Sequence, residues 1–188
     1  MTIYCLLDRS GSMESCIDDT IGGYNTFIKS QPLDSILSLT LFDNEIIHMY
    51  KKPISGVVPL SRNNYIPRGS TALLDAIGYI IKQVPNDEIK PILVILTDGF
   101  ENSSKLYTKL HINDLITEKR KLGWEFIFLA ANQDAIATAS EIGIGEMSAL
   151  TFNTENVSGA FRSVSSAVSR TRTGARVEFS QEERVGSC

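Results

Sequence analysis

The segment Asp8-Arg9-Ser10-Gly11-Ser12 sets one carboxylate and two hydroxyls at alternate positions, directly after the apolar run Ile3 to Leu7. Two other segments carry oxygen donors of the same kind. The run "PILVILTDG" ends in Asp98 and Gly99, followed by a polar loop with Glu101, Asn102, Ser103 and Ser104, and "PRGSTALLDAI" places Thr71 where a helix begins. Two carboxylates and three hydroxyls, with no nitrogen or sulfur donor required, suit a hard divalent cation: Mg2+ takes oxygen ligands at about 2.0 to 2.1 Å and keeps several waters. Alternate residues on a loop that Gly11 lets curl can aim their side chains at one point, whereas a helix would spread them. The candidate metal ligands are Asp8, Ser10, Ser12, Thr71 and Asp98, and the candidate cation is Mg2+ or Mn2+. Two carboxylates offset the ion and neutral hydroxyls donate weakly, so an open coordination position favours an anionic ligand brought by a partner.

Each residue also has a plainer reading. Asp, Ser and Gly are what any turn or helix N-cap uses, so Asp8-x-Ser10-x-Ser12 alone is a weak signal; Thr71 and Asp98, placed independently at an element's edge, strengthen it. Ser70 reads equally as an N-cap, Gly69 as a turn residue and Asp75 as a helix-face or supporting residue. Glu101 could reach the metal or be solvated, and is left outside the ligand set. His48 and His111 are expected in surface or structural roles, and Trp124 in the core. Arg9, Arg62 and Arg68 are expected to make a positive rim that steers an acidic partner, with solvation of Arg9 or pairing of Arg68 with Glu101 as alternatives.

The elements that must position these residues follow from periodicity. Apolar runs of strand length alternate with stretches of helical period, in the order β, α, β, β, α, β, α, β, α, β, α. Ile3 to Leu7 is the first strand, and Ile17, Ile21, Tyr24 and Ile28 stripe the first helix. "SILSLTLF" and "EIIHMY", joined at Asp43-Asn44, form a hairpin and hence an antiparallel edge. Leu73, Ile77, Ile80 and Val84 mark the second helix, and "PILVILTDG" is a strand buried on both faces and central in the sheet. A third helix is expected from Leu106 to Lys121, then strand "WEFIFLA", a short helix near Asp134 to Ile142, strand "SALTF", and a closing helix striped by Val157, Phe161, Val164 and Val168. In an open α/β sheet, ligands bind beyond the carboxyl ends of the strands, where Asp8 and Asp98 fall. One domain over residues 1–172 is expected, with 173–188 as a polar tail lacking periodicity, dispensable for folding unless Val177 and Phe179 add a strand.

With 188 residues, a net charge of −4 and 43% hydrophobic residues, the chain has material for a sizeable core. The acidic balance and the lack of a long basic block disfavour nucleic acid as partner. The short first apolar run is no signal peptide or membrane span, and an intracellular, cytoplasmic protein is expected. Cys5, Cys16 and Cys188 lack metal-ligand spacing and read as buried or idle thiols.

"DRSGSM", "GSTALLDAI" and "LTDG" together resemble the metal-ion-dependent adhesion site of the von Willebrand factor A domain family, and the resemblance covers essentially the whole chain. It implies a Rossmann-like fold with a central, mostly parallel sheet, one antiparallel edge strand and helices on both faces. It implies that Ser10, Ser12 and Thr71 ligate the metal directly while Asp8 and Asp98 act through water. The implied function is a binding module whose metal takes an Asp or Glu carboxylate from a partner protein, and small stand-alone members of this kind occur in bacteria and phages. Two other classes compete. A Mg2+-dependent phosphoryl-transfer hydrolase of haloacid dehalogenase type needs a second aspartate where Ser10 stands, and a purely structural subunit needs no metal. Neither a G-x-x-x-x-G-K-[ST] loop nor a G-x-S-x-G elbow is present, so a non-enzymatic role is expected.

Overall fold

In the computed structural model, which describes residues 1–131 and 135–187, six strands form one sheet in the order β3-β2-β1-β4-β5-β6. Asp134 and Cys188, named above, lie outside the described residues. The strands are β1 (Thr2–Asp8), β2 (Ile36–Phe42), β3 (Ile46–Pro53), β4 (Ile92–Thr97), β5 (Glu125–Ala131) and β6 (Ala149–Phe152). β3 runs antiparallel to β2 and closes one edge, while the remaining pairings are parallel. Asp43 makes the hairpin turn with its own carboxylate, which accepts the Glu45 amide at 2.6 Å. β1 and β4 are buried along their whole length, as continuous apolar strands covered on both faces must be.

The strand period of two divides the core between two layers. Ile3, Cys5 and Leu7 point to the side covered by α1 (Ile17–Ser30) and α5 (Val157–Arg172). Tyr4 and Leu6 point to the side covered by α2 (Leu73–Gln83), α3 (Lys109–Lys121) and α4 (Ala135–Glu141), where Trp124 stacks on Phe126 as a core residue. Helix α3 starts three residues later than its hydrophobic pattern suggests. Thr108 caps it by accepting the His111 amide, and Asp75 on α2 accepts the amides of Lys105, Leu106 and Tyr107, holding that segment in a non-helical course. His48 stays on the edge strand, 3.3 Å from the Thr40 hydroxyl.

The polar segment expected as a tail packs against the domain through the two residues named as its exceptions. Val177 and Phe179 are each 1% exposed and join the core beneath α5. The Ser148 hydroxyl donates to the Val177 carbonyl at 2.7 Å, and the Phe179 amide donates to the Met147 carbonyl at 2.8 Å. A final helix, α6 (Gln181–Val185), carries a capping box between Ser180 and Glu183. Glu183 in turn accepts both terminal nitrogens of Arg170 at 2.8 Å. Two apolar side chains and one forked ion pair anchor a segment too polar to show a stripe. Among the described residues no helix is long and apolar enough to cross a membrane.

Candidate metal centre

β1 and β4 are neighbours with Leu7 opposite Leu96, so Asp8 and Thr97 finish side by side. From there the chain leaves β1 toward β2 and β4 toward β5, in opposite directions, and the divergence opens a crevice at the strand ends. Asp8 forms its floor. It is fully buried: its Oδ1 accepts the Ser10 amide at 2.6 Å and its Oδ2 accepts the Thr97 hydroxyl at 2.5 Å. The buried Tyr65 hydroxyl donates to the Asp8 carbonyl at 2.5 Å, tying the preceding loop to the same point.

Two backbone bonds lock the first loop against the segment before α2. The Gly11 amide donates to the Gly69 carbonyl at 3.1 Å, and the Arg68 amide to the Arg9 carbonyl at 2.7 Å. Gly69 has a φ of +68°, and an added Cβ would lie 2.1 Å from the Asn44 side-chain oxygen, so glycine is needed there for both shape and space. Thr71 is then fixed from its other side: its amide donates to the Asn102 side chain, and its carbonyl accepts the Asn102 and Ser103 amides.

The hydroxyls converge over Gly99. A methyl built on its Cα would stand 2.9 Å from Thr71 Oγ1, 3.2 Å from Ser12 Oγ and 3.7 Å from Ser10 Oγ. Ser10 and Ser12 are 3.0 Å apart through their hydroxyls, and Ser12 donates to Asp98 at 2.6 Å. All five residues predicted from sequence therefore border one small cradle, with Ser12 exposed and Asp8, Ser10, Thr71 and Asp98 buried. Burial pushes the Asp8 carboxyl up to about 6, only partly opposed by the bonds from Thr97 and Ser10, and the nearby Asp98 adds to the rise. Asp98 is raised by burial too, against the bond from Ser12. Two buried acids in a ring of hydroxyl oxygens, with no cationic side chain among these five residues, match the donor set of a hard divalent cation.

Glu101 is a structural residue. Its carboxylate accepts the amides of Leu74, Ser103 and Ser104 and the Ser104 hydroxyl, capping α2 and shaping the loop after β4. The expected arginine rim is corrected. Arg9, 10% exposed, lies 3.0 Å from buried Asp43. Arg68 pairs with the same Asp43 and with Glu45 instead of Glu101, and Arg62 makes a two-pronged bond to Asp18 on α1. Each cation is neutralised locally, because Asp43, Glu45 and Asp18 come within reach only after folding. Sequence reasoning missed Thr97, Asn102 and Tyr65 as the side chains that hold the site. Thr97 had one visible signal, a hydroxyl at the end of an otherwise apolar strand.

No family model and no curated protein matches the chain. Solved structures do. The VWA2 paralog of ArnB from Sulfolobus acidocaldarius is 16% identical with a TM-score of 0.66, over 89% of this chain and 44% of that one. Proximal thread matrix protein 1 from the mussel byssus, in a structure with a zinc-occupied MIDAS motif, is 17% identical with a TM-score of 0.64, over 87% and 44%. The vWF domain of the type V pili tip protein Mfa5 from Porphyromonas gingivalis is 9% identical with a TM-score of 0.67, over 90% and 95%. The chain thus spans less than half the length of the first two. At such low identity the likeness concerns architecture: a mostly parallel six-stranded sheet with one antiparallel edge, flanked by helices, in the fold of von Willebrand factor A domains.

Proposed function

We propose that this chain is a metal-dependent protein-binding module. The reading rests on one observation above the others, the convergence of three hydroxyls on the space above Gly99, where a single methyl would intrude, with buried Asp8 and Asp98 hydrogen-bonded to the Ser10 amide and the Ser12 hydroxyl beside it. Ser10, Ser12 and Thr71 would hold Mg2+ or Mn2+ directly. Asp8, whose two oxygens are already hydrogen-bonded, and Asp98, bonded to Ser12, would act through water. When bound, the ion supplies a position that accepts a carboxylate oxygen. The chain's own residues orient the hydroxyls, balance the charge and exclude larger groups. The partner contributes an Asp or Glu side chain. A similar fold carries zinc at its MIDAS motif in the mussel protein, which supports a divalent site of this kind.

A binding role is favoured over phosphoryl transfer because Ser10 occupies the place of a second acid, and its hydroxyl sits beside Ser12. Among the described residues, neither histidine shares a hydrogen bond with a cradle residue. Calorimetric titration with MgCl2 and MnCl2 tests the site. Metal binding by the wild type and its loss in a Ser10→Ala, Thr71→Ala double variant are expected, and equal affinity in both would refute the assignment. Capture of a partner that persists in excess chelator would refute the metal bridge, and metal-dependent turnover of a phosphoester, abolished by Asp8→Ala, would replace it with the hydrolase.

A further inference from the structure

The opposite pole of the sheet carries a second polar concavity that the metal centre does not use. It lies at the amino ends of β4 and β5, with a volume of about 440 Å³, and is bordered by Lys90, Arg120, Lys121, Arg176, Trp124 and Glu125. Four cations thus face one carboxylate, in a chain whose net charge is −4. They come from three separate segments: the approach to β4, the end of α3, and the stretch after α5. Among the described residues none of the four takes part in an ion pair, in contrast to the arginines beside the metal cradle. Arg120 makes one long bond, to the Gly143 carbonyl at 3.4 Å.

Two further features belong to the same place. Trp124 lines the cavity and is 2% exposed, and its indole N–H is buried without an acceptor. A buried donor left unpaired is costly and uncommon in a native fold. Lys90 is the one non-glycine among the described residues with a positive φ, at 43°, and its side-chain stem lies close to Gly123 on the other wall. An ordinary side chain in the left-handed region is sparse and tends to mark functional positions.

From this convergence we propose a binding site for a small phosphorylated ligand. Guanidinium and ammonium groups recognise phosphate oxygens through charge-assisted hydrogen bonds, and several of them around one concavity suit a ligand with more than one phosphate charge. The volume falls in the range of about 300 to 1,000 Å³ typical of small-molecule sites. A nucleic-acid surface would instead need a basic stripe extending along the molecule, and the chain as a whole is acidic.

The chain's single tryptophan is Trp124, so emission excited selectively from tryptophan comes from the wall of this cavity. The full chain is titrated in chelator, to keep the metal centre out of the measurement, with inorganic phosphate, pyrophosphate, ATP and a short DNA duplex in separate arms. Pyrophosphate is expected to produce a saturable change in emission. ATP matching pyrophosphate supports recognition of the phosphates themselves, and tighter binding of ATP supports a nucleotide. An Arg120→Ala, Arg176→Ala variant should bind at least about tenfold more weakly. Its melting temperature should be unchanged, since both side chains are exposed. No saturable response to pyrophosphate or ATP, the same affinity in the variant, or a response only to the duplex would overturn the proposal.

Discussion

Gly99→Ala tests the metal centre without deleting any of its oxygen ligands. The new methyl would lie 2.9 Å from Thr71 Oγ1 and 3.2 Å from Ser12 Oγ, inside the space the hydroxyls share. Oxygen ligands must approach Mg2+ to about 2.1 Å, so a carbon among them displaces either the ion or its ligands. The metal-free fold should notice far less. Overpacking at one tight contact costs on the order of 1 kcal/mol, partly relieved by rotation of a hydroxyl. Gly99 has no positive φ, so alanine also recovers about 0.4 to 1 kcal/mol by restricting the unfolded chain. The two nearly cancel, and the metal-free melting temperature should move by no more than about 2 to 4 °C. Binding at a metal concentration 100 times the dissociation constant stabilises the wild type by about 2.7 kcal/mol, hence by roughly 5 to 10 °C. Thermal denaturation of both proteins, with MgCl2 and with chelator, separates the two effects: the wild type should gain that increment and the variant should lose it. An equal metal-dependent increment in both proteins would show that the cation does not sit above Gly99, and the argument from the cradle would fail.

Other outcomes follow from the same contacts. Thr97→Val removes the donor to Asp8 Oδ2 while keeping the side chain's shape, and should destabilise the protein by about 1 to 3 kcal/mol in urea denaturation; unchanged stability would mean that bond contributes little. Phe179→Ala, or a chain cut after Arg172, should lower stability by about 3 to 5 kcal/mol, because a fully buried aromatic leaves the core beneath α5. A truncated chain melting at the wild-type temperature would refute the packed tail. Burial opposes ionisation of Glu183, yet the bonds from Arg170 and Ser180 outweigh it and hold the carboxyl below its ordinary 4.5. A depressed acid stabilises the fold above its unfolded value and loses that contribution as pH falls through the lower folded value. The stability difference between wild type and Glu183→Gln should therefore be constant near neutrality and shrink on acidification below 4.5; a difference that grows in acid would contradict the clamp.

Much of this architecture is local information. The alternation in "SILSLTLF", the unbroken apolar run of β4 and the helical stripes of α1, α2 and α5 are periodic signals. They reveal the elements because one side of each must be buried. Where a polar residue follows an apolar strand, it stands at the sheet's end, and this brings Asp8 and Asp98 to one crevice without any knowledge of contacts. Pairing is a different matter, because partners distant in sequence meet only once the sheet order is set. Arg68 and Arg9 look like a positive rim until Asp43, at the far end of β2, arrives beside them. Glu101 looks like a possible ligand until the Leu74 amide of α2 and the amides of Ser103 and Ser104 claim it. The tail carries no stripe because, among residues 173–187, Val177 and Phe179 are the two apolar side chains in the core, and two points have no period. Legible in the sequence by itself were the strands, helices α1 to α5 and the two carboxylates at the carboxyl ends of β1 and β4. Only the tertiary structure decided which charges neutralise one another, that Thr97 and Tyr65 hold the floor of the cradle, and that the last segment is packed. Each of those outcomes depends on distances between residues that the chain alone does not bring together.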